Sequence, residues 1–231
     1  MARSGNVLEE RIEFLRGLPL FAGVQEAALA ALARASLSRR VPKGSYLFMQ
    51  SEPADAAYLV WVGAIAIVLN SADGRELVIN EMRRGDCLGE LGLLTGQPRS
   101  AAALASVDSE VLVMPRNAFW AVLDAAPAVV QRLLQMTASR LRSSSEREGA
   151  LAFMDAQARL ARLLLHLDEQ PSDKDYVTIS QAELGRRAGL TRQTVAQILG
   201  RWRRRGWLVT GRGRIMLLDA VRLAQLAKEP L

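Results

Sequence analysis

Between residues 37 and 116 the apolar side chains recur in short alternating runs: Tyr46-Leu47-Phe48, Ala57 to Val62, Ala64 to Leu69, Leu77 to Ile79 and Val111 to Met114. Turn signals at Pro42-Lys43-Gly44, Asp73-Gly74 and Arg84-Gly85-Asp86 separate them. Many short strands at this spacing fold as a small antiparallel barrel or jelly roll. On both sides the period changes. Residues 7–36 carry Ile12, Leu15, Leu18, Leu29 and Leu32 in a helical pattern broken at Gly17 to Pro19, and Asn117 to about Glu169 is helical again. Pro171-Ser172-Asp173-Lys174-Asp175 reads as a linker. The expectation is an α+β chain with a barrel near its N-terminus.

Inside the barrel region lies Gly89-Glu90-Leu91-Gly92-Leu93-Leu94-Thr95-Gly96-Gln97-Pro98-Arg99-Ser100-Ala101. Glycines let the backbone close on an anion and expose N–H donors. Glu90 can accept from a ribose hydroxyl, and Arg99 offers a planar, permanently charged fork to a phosphate. The segment reads as a nucleotide-sensing cassette, against the simpler reading of a Gly-rich turn with a solvated arginine.

The 231 residues, half of them hydrophobic, suffice for two modest domains. No run approaches the roughly 18 uncharged apolar residues of a membrane span, and Met1 to Glu13 is charged, so a soluble cytoplasmic protein is expected. A single cysteine, Cys87, excludes an internal disulfide and a cluster held by several thiolates of one chain. It reads as a small core residue. The lone His166 sits in an apolar helical run, and a metal site needs several convergent ligands. With one His, one Cys and no metal-spaced carboxylate set, the sequence lacks a catalytic constellation. Charge is uneven: residues 1–125 carry 12 Lys/Arg against 14 Asp/Glu, residues 126–231 carry 18 against 10. The C-terminal part is therefore the candidate for binding a polyanion.

From Pro127 onward Leu134, Thr137, Leu141, Ser144, Glu148 and Leu151 fall on one helical stripe. Its centre is polar, Ser143-Ser144-Ser145-Glu146, which suits a weak dimer seam that a polar ligand completes. Further on, Ser180 can cap a helix through Ala188, Gly189 supplies a tight turn, and Thr191 can cap a second helix through about Arg204. Ile179, Leu184, Leu190, Val195, Ile198, Leu199 and Trp202 supply a small core. Arg192, Gln193, Thr194 and Gln197 face outward at the start of the second helix, where a recognition helix meets base edges. Arg192 suits guanine, and Gln193 and Gln197 favour adenine. Arg201, Arg203, Arg204, Arg205, Arg212 and Arg214 follow, with no acidic residue between Leu184 and Leu218. Trp207 to Leu218 reads as a hairpin, a wing.

This order of parts resembles the Crp/Fnr family of bacterial transcription regulators, and in detail its cyclic-AMP receptor branch, over residues 14–219. Gly89-Glu90-Leu91, Arg99-Ser100-Ala101 and Ser145-Glu146-Arg147-Glu148-Gly149-Ala150-Leu151-Ala152-Phe153 carry the resemblance. It implies a cyclic-nucleotide-binding β-roll over 1–126, a long dimerisation helix over 127–154 and a winged helix-turn-helix domain over 155–231. Glu90 would bond the ribose 2′-hydroxyl, while Arg99 and Ser100, with nearby backbone N–H groups, hold the cyclic phosphate. Ser144 would meet the purine and Ser145 the nucleotide of the partner subunit. The implied effector is cyclic AMP, with cyclic GMP, another ligand or none as alternatives. The implied partners are a palindromic double-stranded DNA operator, a second copy of the chain and RNA polymerase, with no membrane. The expected DNA-contacting residues are Ser180, Gln181, Thr191, Arg192, Gln193, Thr194, Gln197, Arg201 and Arg212. Asp73 to Glu76 and the 168–176 loop are the exposed candidates for a polymerase contact.

Departures from the family are specific. Ser144-Ser145 replaces the usual Thr-Ser, which leaves cyclic GMP open. Glu148 occupies a seam position that is usually apolar. Ser51 stands where a barrel-turn glycine is common, with no effect expected on the ligand site. Gln193 replaces an acidic base reader and Gln197 an arginine, so a half-site altered beside a shared guanine is expected. The lack of clustered N-terminal cysteines argues against the iron-sulfur branch, and the missing ligands argue against the haem branch. Arg99→Leu is expected to abolish effector response while sparing the fold.

Overall fold

The computed structural model describes residues 2–71, 74–170 and 175–228. Asp73 of the expected turn and 171–174 of the expected linker lie outside the described residues, as do parts of both candidate polymerase segments. The chain forms two compact units, residues 1–75 with 79–141 and residues 76–78 with 142–231.

The first unit opens with α1 (Ala2–Arg16), a 3-10 turn (Pro19–Phe21) and α2 (Glu26–Ala35). Eight strands follow: β1 (Leu37–Val41), β2 (Tyr46–Phe48), β3 (Ala56–Val62), β4 (Ala64–Asn70), β5 (Glu76–Arg83), β6 (Cys87–Leu88), β7 (Ala102–Ala105) and β8 (Ser109–Pro115). They form two four-stranded sheets, ordered β1-β8-β3-β6 and β2-β7-β4-β5. A short helix, α3 (Glu90–Thr95), interrupts them between β6 and β7, and α4 (Arg116–Ala125) follows β8.

The period of two explains how this unit packs. On β3, Tyr58 and Val60 point into the interior between the sheets, beside Phe48, Ile65, Ala103 and Val111. The alternate residues Ala57 and Leu59 face a second core built with Phe14, Leu15, Leu29, Leu32 and Phe119 from the helices. A strand buried on both faces reads as the near-continuous apolar run seen in the sequence. Cys87 is buried in the helical core, which raises its thiol well above the ordinary range by desolvation and makes it an inert packing residue. Val129 and Leu133, at the start of α5 (Pro127–Phe153), close the same core.

The second unit contains the rest of α5, then α6 (Ala156–Asp168), β9 (Val177–Thr178), α7 (Gln181–Ala188), α8 (Arg192–Arg204), β10 (Leu208–Gly211), β11 (Arg214–Leu217) and α9 (Ala220–Leu226). The strands form one antiparallel sheet, β10-β11-β9. Four of its helices start on side-chain caps: Asp155 accepts from the Ala158 N–H, Ser180 from Glu183, Thr191 from Thr194 and Asp219 from Arg222. Each such cap satisfies an orphan donor and contributes about 1 kcal/mol. Leu184, Val195, Ile198, Leu199 and Trp202 are buried with Leu160, Leu164 and Leu208, and Ile179 and Leu190 pack partly buried against them. His166 is exposed beside Gln170.

Candidate functional site

The cassette fills the connection between β6 and β7 and contains α3. The sequence reading places the cassette within the strand region and assigns it no helix; Glu90 to Thr95 forms a short helix with left-handed glycines at both ends, Gly89 at φ 77° and Gly96 at φ 71°. Gly89 is required twice over: the positive φ suits it, and a Cβ there would lie 2.6 Å from the Arg99 guanidinium. That close approach lets Arg99 Nη1 donate to the Gly89 carbonyl at 2.8 Å.

Arg99 is 4% exposed and held from several sides. Its Nη2 donates to the Ala56 carbonyl at 2.8 Å and lies 3.4 Å from Asp55. Its guanidinium stacks over Phe48 at 4.4 Å and Tyr58 at 5.4 Å. Burial raises the Tyr58 phenol above its ordinary value, and the Arg99 charge partly offsets this. Arg99 is thus part of the barrel's packing, and Arg99→Leu, expected from sequence to spare the fold, would strand two carbonyls at a cost of about 1–3 kcal/mol each. Ser51, expected to be remote in effect, is tied to it too: the Ser51 N–H donates to the Arg99 carbonyl at 2.9 Å, and the Arg99 N–H to Glu52 at 2.8 Å. Beside Arg99 a cavity of about 330 Å³ is lined by Arg39, Leu47, Phe48, Glu52, Pro53, Asp55 and Tyr58.

Glu90 is 2% exposed at the start of α3. Its Oε1 accepts from Arg140 Nη1 at 2.8 Å, and Arg140 Nη2 donates to the Cys87 carbonyl at 2.6 Å. Burial raises the Glu90 carboxyl, and the Arg140 charge works against that rise. Arg140 escaped the sequence reading. Its signal was its place on α5, one helical turn before Ser144, but an arginine on a solvated helix has the same spacing.

Among the described residues two buried polar atoms of the cassette lack a partner, Glu90 Oε2 and Arg99 Nε. A buried acceptor and a buried cationic donor left open are what a hydroxyl-bearing anion would satisfy, so the residues present fit a ribose phosphate. Ser100 is exposed, Leu91 is exposed and Ala101 is buried. Ser144 and Ser145 lie on α5 within the second unit, with Ser144 3.5 Å from the Glu148 carboxylate.

The second unit brings Thr191, Arg192, Gln193, Thr194 and Gln197 to the first turns of α8. Thr191 caps α8 and also bonds Thr194 through their hydroxyls at 2.8 Å, while Arg192, Gln193 and Gln197 are exposed. Gly185 lets α7 and α8 meet, since a Cβ there would lie 2.6 Å from the Leu190 carbonyl. Ser180 is exposed at the cap of α7 and Gln181 is half-buried beside it. Arg201 is exposed on α8 and Arg212 at the tip of the β10–β11 hairpin. Glu183, by contrast, is committed: burial pushes its carboxyl up, but bonds from Arg187 and Arg186 outweigh this and hold it below the ordinary value.

A double-sheet barrel carrying an anion cassette, followed in the chain by a winged helix-turn-helix unit, is the architecture of a DNA-binding transcription regulator. Residues 38–126 match the cyclic nucleotide-binding domain, and residues 158–226 the Crp-like helix-turn-helix domain. The cAMP-activated global transcriptional regulator CRP of Salmonella typhimurium is 34% identical over 166 residues, covering 69% of this chain and 79% of that protein. The CRP-like cAMP-activated global transcriptional regulator of Mycobacterium tuberculosis is 29% identical over 222 residues, covering 94% and 99%. A CRP/FNR-family regulator from Thermus thermophilus superposes with a TM-score of 0.70 at 27% identity, covering 84% and 99%. The chain belongs to the Crp/Fnr family of transcription regulators. Among the described residues no helix is long and apolar enough to cross a membrane, and no three His, Cys, Asp or Glu side chains cluster to hold a metal.

Proposed function

We propose that this chain is a cyclic-AMP-responsive, homodimeric, cytoplasmic transcription regulator that binds a palindromic operator through the major groove when its effector is bound, and works with RNA polymerase. The observation that carries the effector reading is the pair of open buried atoms, Glu90 Oε2 and Arg99 Nε, in a cassette of the cyclic-nucleotide type. Glu90 takes the ribose hydroxyl, Arg99 and Ser100 take the phosphate with backbone N–H groups of Gly89, Leu91 and Ala101 nearby, and Ser144 and Ser145 meet purines. The names of the relatives in Salmonella typhimurium and Mycobacterium tuberculosis, both cAMP-activated, favour cyclic AMP. The Ser144-Ser145 pair leaves cyclic GMP open as the second reading.

Residues 1–126, 127–154 and 155–231 serve as sensor, dimerisation helix and DNA-binding domain. Leu134 and Leu141 are 69% and 67% exposed on α5, which supports a seam covered by a second copy. Ser180, Gln181, Thr191 and Arg201 face the phosphates, Arg192, Gln193, Thr194 and Gln197 the bases, and Arg212 the flank. Effector binding favours the DNA-competent state by its differential affinity for the two conformations, a coupling of about 1–3 kcal/mol.

Calorimetric titration with cyclic AMP and cyclic GMP tests this. Tight cyclic AMP binding is expected, weakened in Ser100→Ala with the thermal midpoint preserved, and lost in Arg99→Lys, whose midpoint falls because lysine cannot hold both the Gly89 and the Ala56 carbonyls. Tighter cyclic GMP binding would reverse the choice of effector, and no binding of either would leave a family member with another signal.

A further inference from the structure

Five arginines of the C-terminal unit are held in two ways. Arg186 and Arg187 bond the carboxylate of Glu183, and Arg186 also donates to Glu76 at 3.0 Å, so their donors are taken by carboxylates. Arg205 and Arg222 instead lie over the Trp207 ring at 5.0 and 5.8 Å, and Arg214 over Tyr176 at 4.8 Å. A guanidinium laid flat on a ring keeps its full charge and the N–H edges in its own plane, so stacking orients it without consuming its donors.

Arg214 is the best placed of the three. It opens β11 directly after the hairpin turn, where Gly213 has φ 69°. It pairs with Thr178 on β9, so Tyr176, two residues earlier, is its diagonal neighbour across the strands. The Ile179 N–H donates to the Gly213 carbonyl at 3.0 Å and fixes the corner. The Arg214 side chain is exposed and has no carboxylate partner among the described residues. A guanidinium seated over a ring, exposed and beside the Arg212-Gly213 turn, suits a phosphate oxygen pair.

Resting on the reading of this unit as a duplex-DNA binder, the geometry points to Tyr176 as a positioning residue that holds the Arg214 guanidinium edge-on for a backbone phosphate beside the wing. Its contribution is sequence-independent affinity, with base choice left to α8.

The test uses the full chain, with and without cyclic AMP, and a duplex of about 30 base pairs that the wild-type protein selects from a random pool. Affinity is measured across a salt series. Tyr176→Leu is expected to weaken binding about three- to ten-fold and Tyr176→Phe, which keeps the ring, by less than about two-fold. Arg214→Ala should lower the salt slope by about one, and adding Tyr176→Leu to it should cost nothing further. Should Tyr176→Leu misfold by its thermal midpoint, Tyr176→Gln repeats the measurement with a ringless polar side chain. Wild-type affinity in the ringless variant, or an equal loss on top of Arg214→Ala, overturns this role alone. Failure of the wild-type protein to bind any duplex overturns the DNA-binding reading and this role with it.

Discussion

Ser51 is the one non-glycine residue at positive φ among the described residues, at φ 69°. Its Cβ strains that left-handed turn, and its N–H anchors Arg99 from behind. Ser51→Gly should therefore stabilise the barrel by about 0.5–1 kcal/mol, the relief of strain exceeding the glycine's entropy loss, as read from a denaturant midpoint. Ser51→Val should lose stability instead. Arg140 makes the opposite case. Removing it leaves the buried Glu90 carboxylate unpaired at a cost of about 3 kcal/mol. Glu90 has a raised folded value, so this carboxyl favours the fold fully below its ordinary 4.5 and loses that contribution as pH rises through the folded value. Arg140→Ala should raise the folded value further, making the variant distinctly less destabilised near pH 4 than near pH 8. Equal destabilisation at both would count against the pair.

At the scale of elements, α7 depends on one carboxylate. Glu183 stands near the α7 N-terminus and takes bonds from Arg186 and Arg187 one turn on. Its folded value is lowered, so its contribution is present above 4.5 and disappears as pH falls through the folded value. Glu183→Gln should lower the thermal midpoint of the winged unit at neutral pH and flatten its acid limb. On α5, Glu148 lies in the polar middle of the stripe, bonded to Ser144. Two such carboxylates facing one another across a dimer axis would repel, so Glu148→Leu should strengthen the ligand-free dimer in sedimentation. An unchanged dissociation constant would place Glu148 off the axis.

For the whole molecule, the division of charge between residues 1–125 and 126–231 matters more than the net charge of +6. Arg192→Ala should relax specificity at one base, whereas Arg204→Ala should weaken binding across sequences and reduce the salt slope by about one. The elements were legible in the sequence because periodicity and caps are local: Ser180, Gly189 and Thr191 mark the helix-turn-helix boundaries by their own backbone chemistry. The strands β1, β6 and β7 were not picked out. The exposed edge of β1 and the two-residue length of β6 carry no alternating signal, and β7 lies directly behind the cassette. By itself the sequence determined the α+β class, the cassette composition and the basic second half, since each follows from residue type and spacing along the chain. Only the tertiary structure decided that Arg99 is clamped between carbonyls and rings, that Arg140 neutralises Glu90 across fifty residues, and that Tyr176 lies under Arg214. Those pairings join residues far apart in the chain, and burial, which sets their strength, exists only once the sheets and helices have packed.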